Sequence, residues 1–171
     1  PYYNKPSQEG LYRHFKSIAE AVDIPQILYN VPGRTACDLV LDTVIRLAQL
    51  ENIVAIKDAS GDLSRGLQLI KECGSQLAIY SGEDTLTLPL ILAGAAGTIS
   101  VTANAAPAQM SAMCALALAG DADAASSAND RLALLHENLF LEANPVPVKW
   151  ALQQMGMIGS GIRLPMVELD S

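Results

Sequence analysis

Ile53-Val54-Ala55-Ile56-Lys57 is a short apolar run that ends in a lysine, and the helical pattern Leu63 to Cys73 follows it. A continuous apolar run of this length predicts a β-strand that is covered on both faces. The same alternation recurs on both sides of this unit and predicts parallel β-α units rather than hairpins. Further strands are predicted at Gln26 to Asn30, Leu77 to Ser81 and Thr98 to Val101, and further helices at Ser7 to Val22, Leu39 to Leu50 and Thr85 to Ala93.

The repeated units predict an α/β fold, and four of them amount to half of an eightfold TIM (β/α)8 barrel. A small open sheet is the alternative, but Tyr29-Asn-Val-Pro-Gly-Arg34 is not the glycine-rich phosphate turn of a nucleotide-binding sheet. Pro1-Tyr-Tyr-Asn resembles a loop that leaves a strand, so we expect the second half of the barrel, over residues 1–104. Residues 105–171 are expected to form the last barrel helix and an all-helical C-terminal region, from the patterns Ala105 to Leu118, Asp121 to Leu141 and Pro145 to Met155.

The composition indicates a globular protein that acts on a small molecule. Of 171 residues, 50% are hydrophobic and 17% are charged, which is enough apolar material for a sizeable core. The formal net charge of -7, with no cluster of lysines and arginines, argues against nucleic acid and anionic lipid as partners. Cys37, Cys73 and Cys114 have no metal-ligand spacing, so a reducing, cytoplasmic setting is expected. The longest apolar stretch is too interrupted for a membrane span.

Lys57 is the first candidate for chemistry, because it lies at the carboxyl end of a predicted barrel strand, where barrels keep their active sites. Burial disfavours the ammonium form of a lysine and leaves more of the free amine, which is the species that attacks a ketone. The alternative is a lysine that points to solvent or pairs with the neighbouring Asp58.

Tyr29 lies at the corresponding end of the preceding strand, so adjacent parallel strands would place it beside Lys57. A phenol there could exchange protons with a substrate oxygen, although a packing role is the alternative. Arg34, in the loop just beyond, could clamp a carboxylate or could be an ordinary surface arginine. The segments 81–84 and 97–100 follow the next two strands, and their glycines allow close approach of the backbone to a ligand.

Seven stretches of the sequence together carry a resemblance to a known family. They are Pro1-Tyr-Tyr-Asn-Lys-Pro, Tyr29-Asn-Val-Pro-Gly-Arg-Thr, Ile56-Lys-Asp-Ala-Ser, Ser81-Gly-Glu-Asp, Gly97-Thr-Ile-Ser-Val-Thr-Ala-Asn, Asn144-Pro-Val-Pro-Val-Lys-Trp and Arg163-Leu-Pro-Met. By these stretches the chain resembles the dihydrodipicolinate synthase family along almost its whole length. Asp58 stands where the family usually has glutamate, and Ala36 where glycine is frequent.

The resemblance implies a lyase that condenses pyruvate with aspartate semialdehyde in diaminopimelate and lysine biosynthesis. It also implies a homo-oligomer, either a dimer or a tetramer, a lysine feedback inhibitor, and no metal or organic cofactor. The implied roles are Lys57 as the Schiff-base lysine, Tyr29 as proton donor and acceptor, Arg34 as binder of the semialdehyde carboxylate, Ile99 and Gly82 as pyruvate contacts, Tyr3 as a tyrosine inserted by the neighbouring subunit, and Tyr2 as part of the lysine site.

Two other functions stay open at this point. The same superfamily includes N-acetylneuraminate lyase and keto-deoxy sugar acid aldolases, which use the same lysine and tyrosine on other substrates. A half-barrel could also be a non-catalytic assembly module that pairs with itself, or with a separate chain that supplies the missing N-terminal half, to cover its open strand edges. If the first half of the barrel is absent, the fragment is expected to be inactive alone.

Overall fold

The computed structural model describes residues 1–169. The chain divides into two compact units, Pro1–Ile99 and a second unit that begins at Ser100. The predicted division of the chain into a half-barrel of residues 1–104 and a helical region of residues 105–171 stays a prediction.

The first unit contains a sheet of four parallel strands in the order β1-β2-β3-β4. Because consecutive strands are neighbours and a helix lies between each pair, the α/β fold with four parallel strands is confirmed. The strands are β1 (Gln26–Asn30), β2 (Ile53–Asp58), β3 (Ala78–Ser81) and β4 (Gly97–Thr98), and the helices are α1 (Gln8–Ala21), α2 (Pro32–Thr35), α3 (Leu41–Leu47), α4 (Leu63–Cys73) and α5 (Thr87–Leu92).

Local sequence explains where the longer helices of this unit begin. Ser7 caps α1, because its side chain accepts a hydrogen bond from the backbone N–H of Gly10, and Glu9 adds a negative charge to the first turn. Asp62 caps α4 in the same way through the N–H of Arg65. Both helices pack apolar faces against the sheet in a core that includes Leu11, Val44, Leu47, Ile53, Ile56, Leu69 and Ile79.

Several predicted boundaries in the first unit were wrong. The helix predicted to start at Leu39 is shorter, Leu41–Leu47, and α2 was not predicted at all. The helix predicted from Thr85 starts instead as a 3-10 turn at Asp84 and continues as α5. The strand predicted to run to Val101 ends at Thr98, since a short helix already begins at Thr102.

The second unit is helical as far as Gln154, in shorter pieces than predicted. The pattern that starts at Ala105 is interrupted, because Pro107 opens a new helix and the preceding residue leaves helical conformation. From Met155 to Leu169 the described chain contains no helix, so a helical region reaching residue 171 is not what the structure describes, and residues 170–171 lie outside the described part. The helices are α6 (Thr102–Ala105), α7 (Pro107–Leu118), α8 (Ala122–Asp130), α9 (Ala133–Asn138) and α10 (Val146–Gln154).

The loss of helix after Gln154 has a backbone cause. Gly156 and Gly161 adopt positive φ angles of 70° and 127°, which a helix does not contain. Across residues 1–169, no helix has the length and apolar character needed to cross a membrane.

Candidate active site

The register of the sheet places Tyr29 beside Lys57, Lys57 beside Tyr80, and Tyr80 beside Gly97. Residues paired across parallel strands point to the same face of a sheet, so the side chains of Tyr29, Lys57 and Tyr80 form one row. We call Tyr29, Lys57 and Tyr80 the strand-end row. Within it, Lys57 Nζ lies 4.4 Å from the centroid of the Tyr29 ring, which is cation-π distance. The two principal candidates from the sequence are therefore in contact.

Gly82 packs directly against the side chain of Lys57. A Cβ atom at this position would lie 2.9 Å from Lys57 Cε, 2.6 Å from Ala59 Cβ and 2.9 Å from the backbone oxygen of Asp58. The N–H of Gly82 donates to that same oxygen at 2.7 Å. Only glycine leaves room here for the stem of Lys57.

The surroundings of Lys57 lower its pKa below the ordinary value of a lysine. Burial is the main cause, because it disfavours the ammonium form, and the carboxylates of Asp84 and Glu83 oppose it by attracting the positive charge. A larger fraction of free amine is therefore present at a given pH than in a solvent-exposed lysine. This is the property that a lysine needs to attack a carbonyl carbon.

Glu83 is a second group with a shifted pKa. Burial raises the pKa of its carboxyl group, the charges of Asp84 and Asp58 raise it further, and the charge of Lys57 lowers it. The Glu83 carboxyl group and the Lys57 amine therefore act on each other, although they are far apart in sequence.

Replacing Glu83 with glutamine should shift the reactivity of Lys57 to lower pH. The substitution removes a carboxylate that raises the lysine pKa, so burial acts with less opposition and the amine loses its proton at lower pH. The measurement is the pH dependence of carbamylation of Lys57 by cyanate, followed by peptide mass spectrometry. Glu20→Gln, an exposed carboxylate on α1, is the matched control and should leave the midpoint unchanged. An upward shift for Glu83→Gln would contradict this account of the site.

Asp58 does not pair with Lys57, which corrects the alternative considered from the sequence. Strand alternation turns Asp58 to the opposite face of the sheet, where its Oδ2 accepts from Nε of Arg65 at 2.8 Å. Its carboxylate is buried, which by itself raises its pKa, but hydrogen bonds from Ser60, Arg65 and Asn30 outweigh burial and lower the pKa overall. Lys57 is thus left without this carboxylate as an ion-pair partner.

The other predicted site residues lie in the segments that follow β1 and β4 and near the start of the chain. Arg34 is in α2, directly after β1, and Ala36 ends that helix with a left-handed φ of 52°, a conformation that favours the glycine frequent in the family. Ile99 follows β4, and its N–H donates to the oxygen of Ser81 at 2.9 Å. Tyr2 and Tyr3 contact each other near the start of the chain, with 71% and 79% of their surfaces exposed.

Tyr80 was not identified from the sequence as a site residue, and Glu83 and Asp84 were identified only as members of the candidate ligand-facing segment 81–84. Tyr80 could have been found by register, because it precedes Ser81 as Tyr29 precedes Asn30. The effect of the Glu83 and Asp84 charges on Lys57 was not predicted, because it depends on how two neighbouring strand ends meet in the fold. In the part of the chain that the structure describes, there is no group of three or more His, Cys, Asp and Glu side chains placed to hold a metal ion.

Comparisons with known proteins agree on one family. The profile described as Dihydrodipicolinate synthetase family matches residues 1–171. The chain is 61% identical over 170 residues to the 4-hydroxy-tetrahydrodipicolinate synthase of Thioalkalivibrio sulfidiphilus, covering 99% of this chain and 58% of that protein. It is 58% identical over 170 residues to the Pseudomonas aeruginosa enzyme of the same name, with the same coverage.

Solved structures give the same result. The chloride-inhibited dihydrodipicolinate synthase of Acinetobacter baumannii, in complex with pyruvate, matches with a TM-score of 0.98 at 58% identity, over 99% of this chain and 58% of that one. The synthase of Cyanidioschyzon merolae with lysine bound matches with a TM-score of 0.94 at 39% identity, over 100% of this chain and 58% of that one. The chain thus spans little more than half the length of these relatives. Coverage gives a share of length and no position, so it does not support the expectation of a C-terminal portion.

Proposed function

This chain belongs to the dihydrodipicolinate synthetase family, and we propose that the complete protein carrying it condenses pyruvate with L-aspartate 4-semialdehyde through a Schiff base on Lys57. The reaction would serve lysine and diaminopimelate biosynthesis. The observation that carries the proposal is the contact between Lys57, whose pKa is lowered by burial, and the phenol ring of Tyr29. The curated relatives that bear the synthase name support the choice of substrates over those of sugar acid aldolases.

The mechanism starts with attack of the Lys57 amine on the ketone carbon of pyruvate. Loss of water from the resulting carbinolamine gives a protonated imine, which withdraws electrons from the adjacent methyl group. That group loses a proton, and the enamine carbon so formed attacks the aldehyde carbon of the second substrate, whose oxygen takes up a proton. The amino group of the semialdehyde then displaces the Lys57 amine from the imine carbon, which frees the lysine for the next turnover. No group outside the chain is needed as electron sink, because the imine nitrogen comes from Lys57.

Tyr29 is the proposed proton shuttle of these steps. Its ring lies beside Nζ of Lys57, at the carboxyl ends of β1 and β2, so the phenol is close to a carbonyl group that the amine attacks. A phenol positioned in this way can give a proton to the carbinolamine oxygen as water leaves, and later take one back.

The remaining roles are assigned by resemblance. Arg34 binds the carboxylate of the semialdehyde through parallel hydrogen bonds, while the backbone near Gly82 and Ile99 contacts pyruvate. Tyr3 is inserted into the site of a neighbouring subunit of a homodimer or homotetramer, which fits its large exposure. Tyr2 belongs to a site for lysine as feedback inhibitor. The odd number of widely spaced cysteines supports the cytoplasm as the compartment.

We also propose that the 171 residues alone have little or no synthase activity. The strand-end row lies on a sheet whose two edge strands, β1 and β4, would be closed by further strands in a complete barrel. The relatives contain additional chain that would supply such strands and the remaining walls of the site. Turnover by the isolated chain close to that of the complete protein would refute this.

Borohydride trapping tests the proposed chemistry. Incubation of the complete protein with pyruvate and sodium borohydride should reduce the imine to a stable secondary amine on Lys57, located by peptide mass spectrometry. Pyruvate omitted is the first control, and a sugar-derived 2-keto acid in its place tests the aldolase alternative. Absence of an adduct on Lys57 with pyruvate would overturn the proposal.

A further inference from the structure

A partly buried ionic network, with Asn30 and Asp58 at its buried centre, lies on the opposite face of the sheet from the strand-end row. We call Asn30, Asp38, Asp58, Ser60 and Arg65 the strand-end network. Asn30 and Asp58 are register partners, one residue after Tyr29 and Lys57. Because side chains alternate along a strand, this network and the reactive side chains lie on opposite faces of the same two strand ends.

Asp58 is the centre of the network. Its Oδ1 accepts from the hydroxyl group and the backbone N–H of Ser60, at 2.5 and 3.2 Å. Its Oδ2 accepts from Nδ2 of Asn30 at 3.0 Å and from Nε of Arg65 at 2.8 Å. Both carboxylate oxygens are thus held by two donors each, which fixes the end of β2 in one orientation.

Asn30 closes the loop that carries Arg34. Its side-chain oxygen accepts from the N–H of Leu39 at 3.1 Å, and its Nδ2 also donates to Asp38 Oδ1 at 2.9 Å. The segment between Asn30 and Asp38, with Arg34 in its middle, is therefore tied at both ends to the end of β1.

Arg65 connects Asp58 at the end of β2 with the segment that follows β1. Its Nε donates to Asp58, its Nη1 lies 3.4 Å from Oδ2 of Asp38, and its Nη2 donates to the backbone oxygen of Leu39. The side chain is only 13% exposed, and that of Asp58 only 7%. A single guanidinium from α4 therefore links the end of β2 to the loop after β1, in three directions that a lysine ammonium does not reproduce.

We propose that Arg65, through this network, is the positioning residue that holds Lys57, Tyr29 and the Arg34 loop in one reactive geometry. The inference rests on the proposed function for its catalytic consequence, while the structural consequence stands alone. Arg65 touches none of the reacting atoms. Arg65 can affect all three site residues because the network fixes their neighbours in the chain. Tyr29 precedes Asn30, and Lys57 precedes Asp58. Arg34 lies in the segment between Asn30 and Asp38. Small misplacements of reacting groups cost large factors in rate, so the network matters beyond stability.

The test compares Arg65→Lys with Arg65→Met in the complete protein. Removing the guanidinium leaves the buried Asp58 carboxylate without its cation, so Arg65→Met can lose stability. Arg65→Lys keeps the charge but not the three directed donors, and it serves as the second variant. Arg13→Met is the matched control, because Arg13 pairs with Glu9 on the exposed surface of α1. All rates are expressed per folded molecule.

Two readouts are measured for each variant. The first is the hydrogen exchange of the Leu39 amide, which donates to Asn30, together with the other amides of residues 31–39. The second is the rate of borohydride trapping of pyruvate on Lys57, with kcat and the KM for the semialdehyde. For Arg65→Lys we expect about tenfold faster Leu39 exchange, trapping about 10- to 100-fold slower, and a higher KM through the loosened Arg34 loop.

The outcomes separate this inference from the proposed function. A lower melting temperature with wild-type exchange at Leu39 and wild-type trapping per folded molecule would show a merely structural role and overturn the inference. A wild-type protein that forms no adduct would overturn the proposed function, and the Leu39 exchange would then still decide whether Arg65 fixes the loop.

Discussion

Replacing Lys57 with arginine should abolish the pyruvate adduct and lower kcat by about 10³-fold or more, since removal of a covalent nucleophile leaves only binding and orientation. Arginine keeps a positive charge and a long apolar stem beside Tyr29, so packing and electrostatics are largely retained. Its guanidinium stays protonated at any pH at which proteins are folded, and it forms no imine with a ketone. The measurements are steady-state turnover and borohydride trapping of the complete protein.

Lys71→Arg is the matched control for this substitution. Lys71 is on α4, 81% exposed, and near Glu72 on the surface, so the same chemical change there should leave trapping and turnover at wild-type levels. An adduct of unchanged yield in Lys57→Arg, mapped to another lysine, would mean that Lys57 is not the nucleophile. Arginine is chosen at position 57 because it keeps the positive charge near Glu83 and Asp84. A loss of activity can then be assigned to the missing amine and not to an unbalanced negative charge.

The parts of the fold that follow from local pattern were predictable from the sequence. The strand Gln26–Asn30 and the helix Leu63–Cys73 occur with the predicted bounds, because prolines border the apolar run of the strand, while a side-chain cap and amphipathic spacing define the helix. The contact of Tyr29 with Lys57 was also predictable, since parallel neighbouring strands bring their carboxyl ends together. The family itself was recognisable from motifs, and the comparisons confirm it.

What could not be predicted depends on residues that meet only in the folded chain. Adjacency in sequence allowed Asp58 to pair with Lys57, but the pleat of β2 turns the Asp58 side chain to the other face, where it contacts Arg65 on α4 and Asn30 on β1. The charge of Glu83, in the loop after β3, raises the pKa of Lys57 at the end of β2, and no sequence spacing predicts that these two residues interact. Helix breaks such as the one before Pro107 are local, yet the apolar pattern on both sides concealed them.

Gly82→Ala should destabilise the protein by about 1 to 3 kcal/mol and slow trapping on Lys57 by tenfold or more, the cost of overpacking and of misplacing a reacting group. The added Cβ would meet the backbone oxygen of Asp58, which cannot withdraw without losing its hydrogen bond from the Gly82 N–H. It would also meet Cε of Lys57, so the strain is relieved in part by pushing the amine out of its position. The measurements are the urea midpoint and the trapping rate per folded molecule.

Gly66→Ala provides the control that separates stability from positioning. A Cβ at Gly66 would lie 2.5 Å from Cδ2 of Leu90, which is the end of a flexible side chain and can move aside, and it would meet no atom of Lys57. Gly66→Ala should change the urea midpoint less than Gly82→Ala does, and trapping per folded molecule should stay at the wild-type level. If both variants slowed trapping equally, the effect of Gly82→Ala would come from general loosening of the fold. A loss confined to Gly82→Ala would mean that this glycine sets the position of the Lys57 amine.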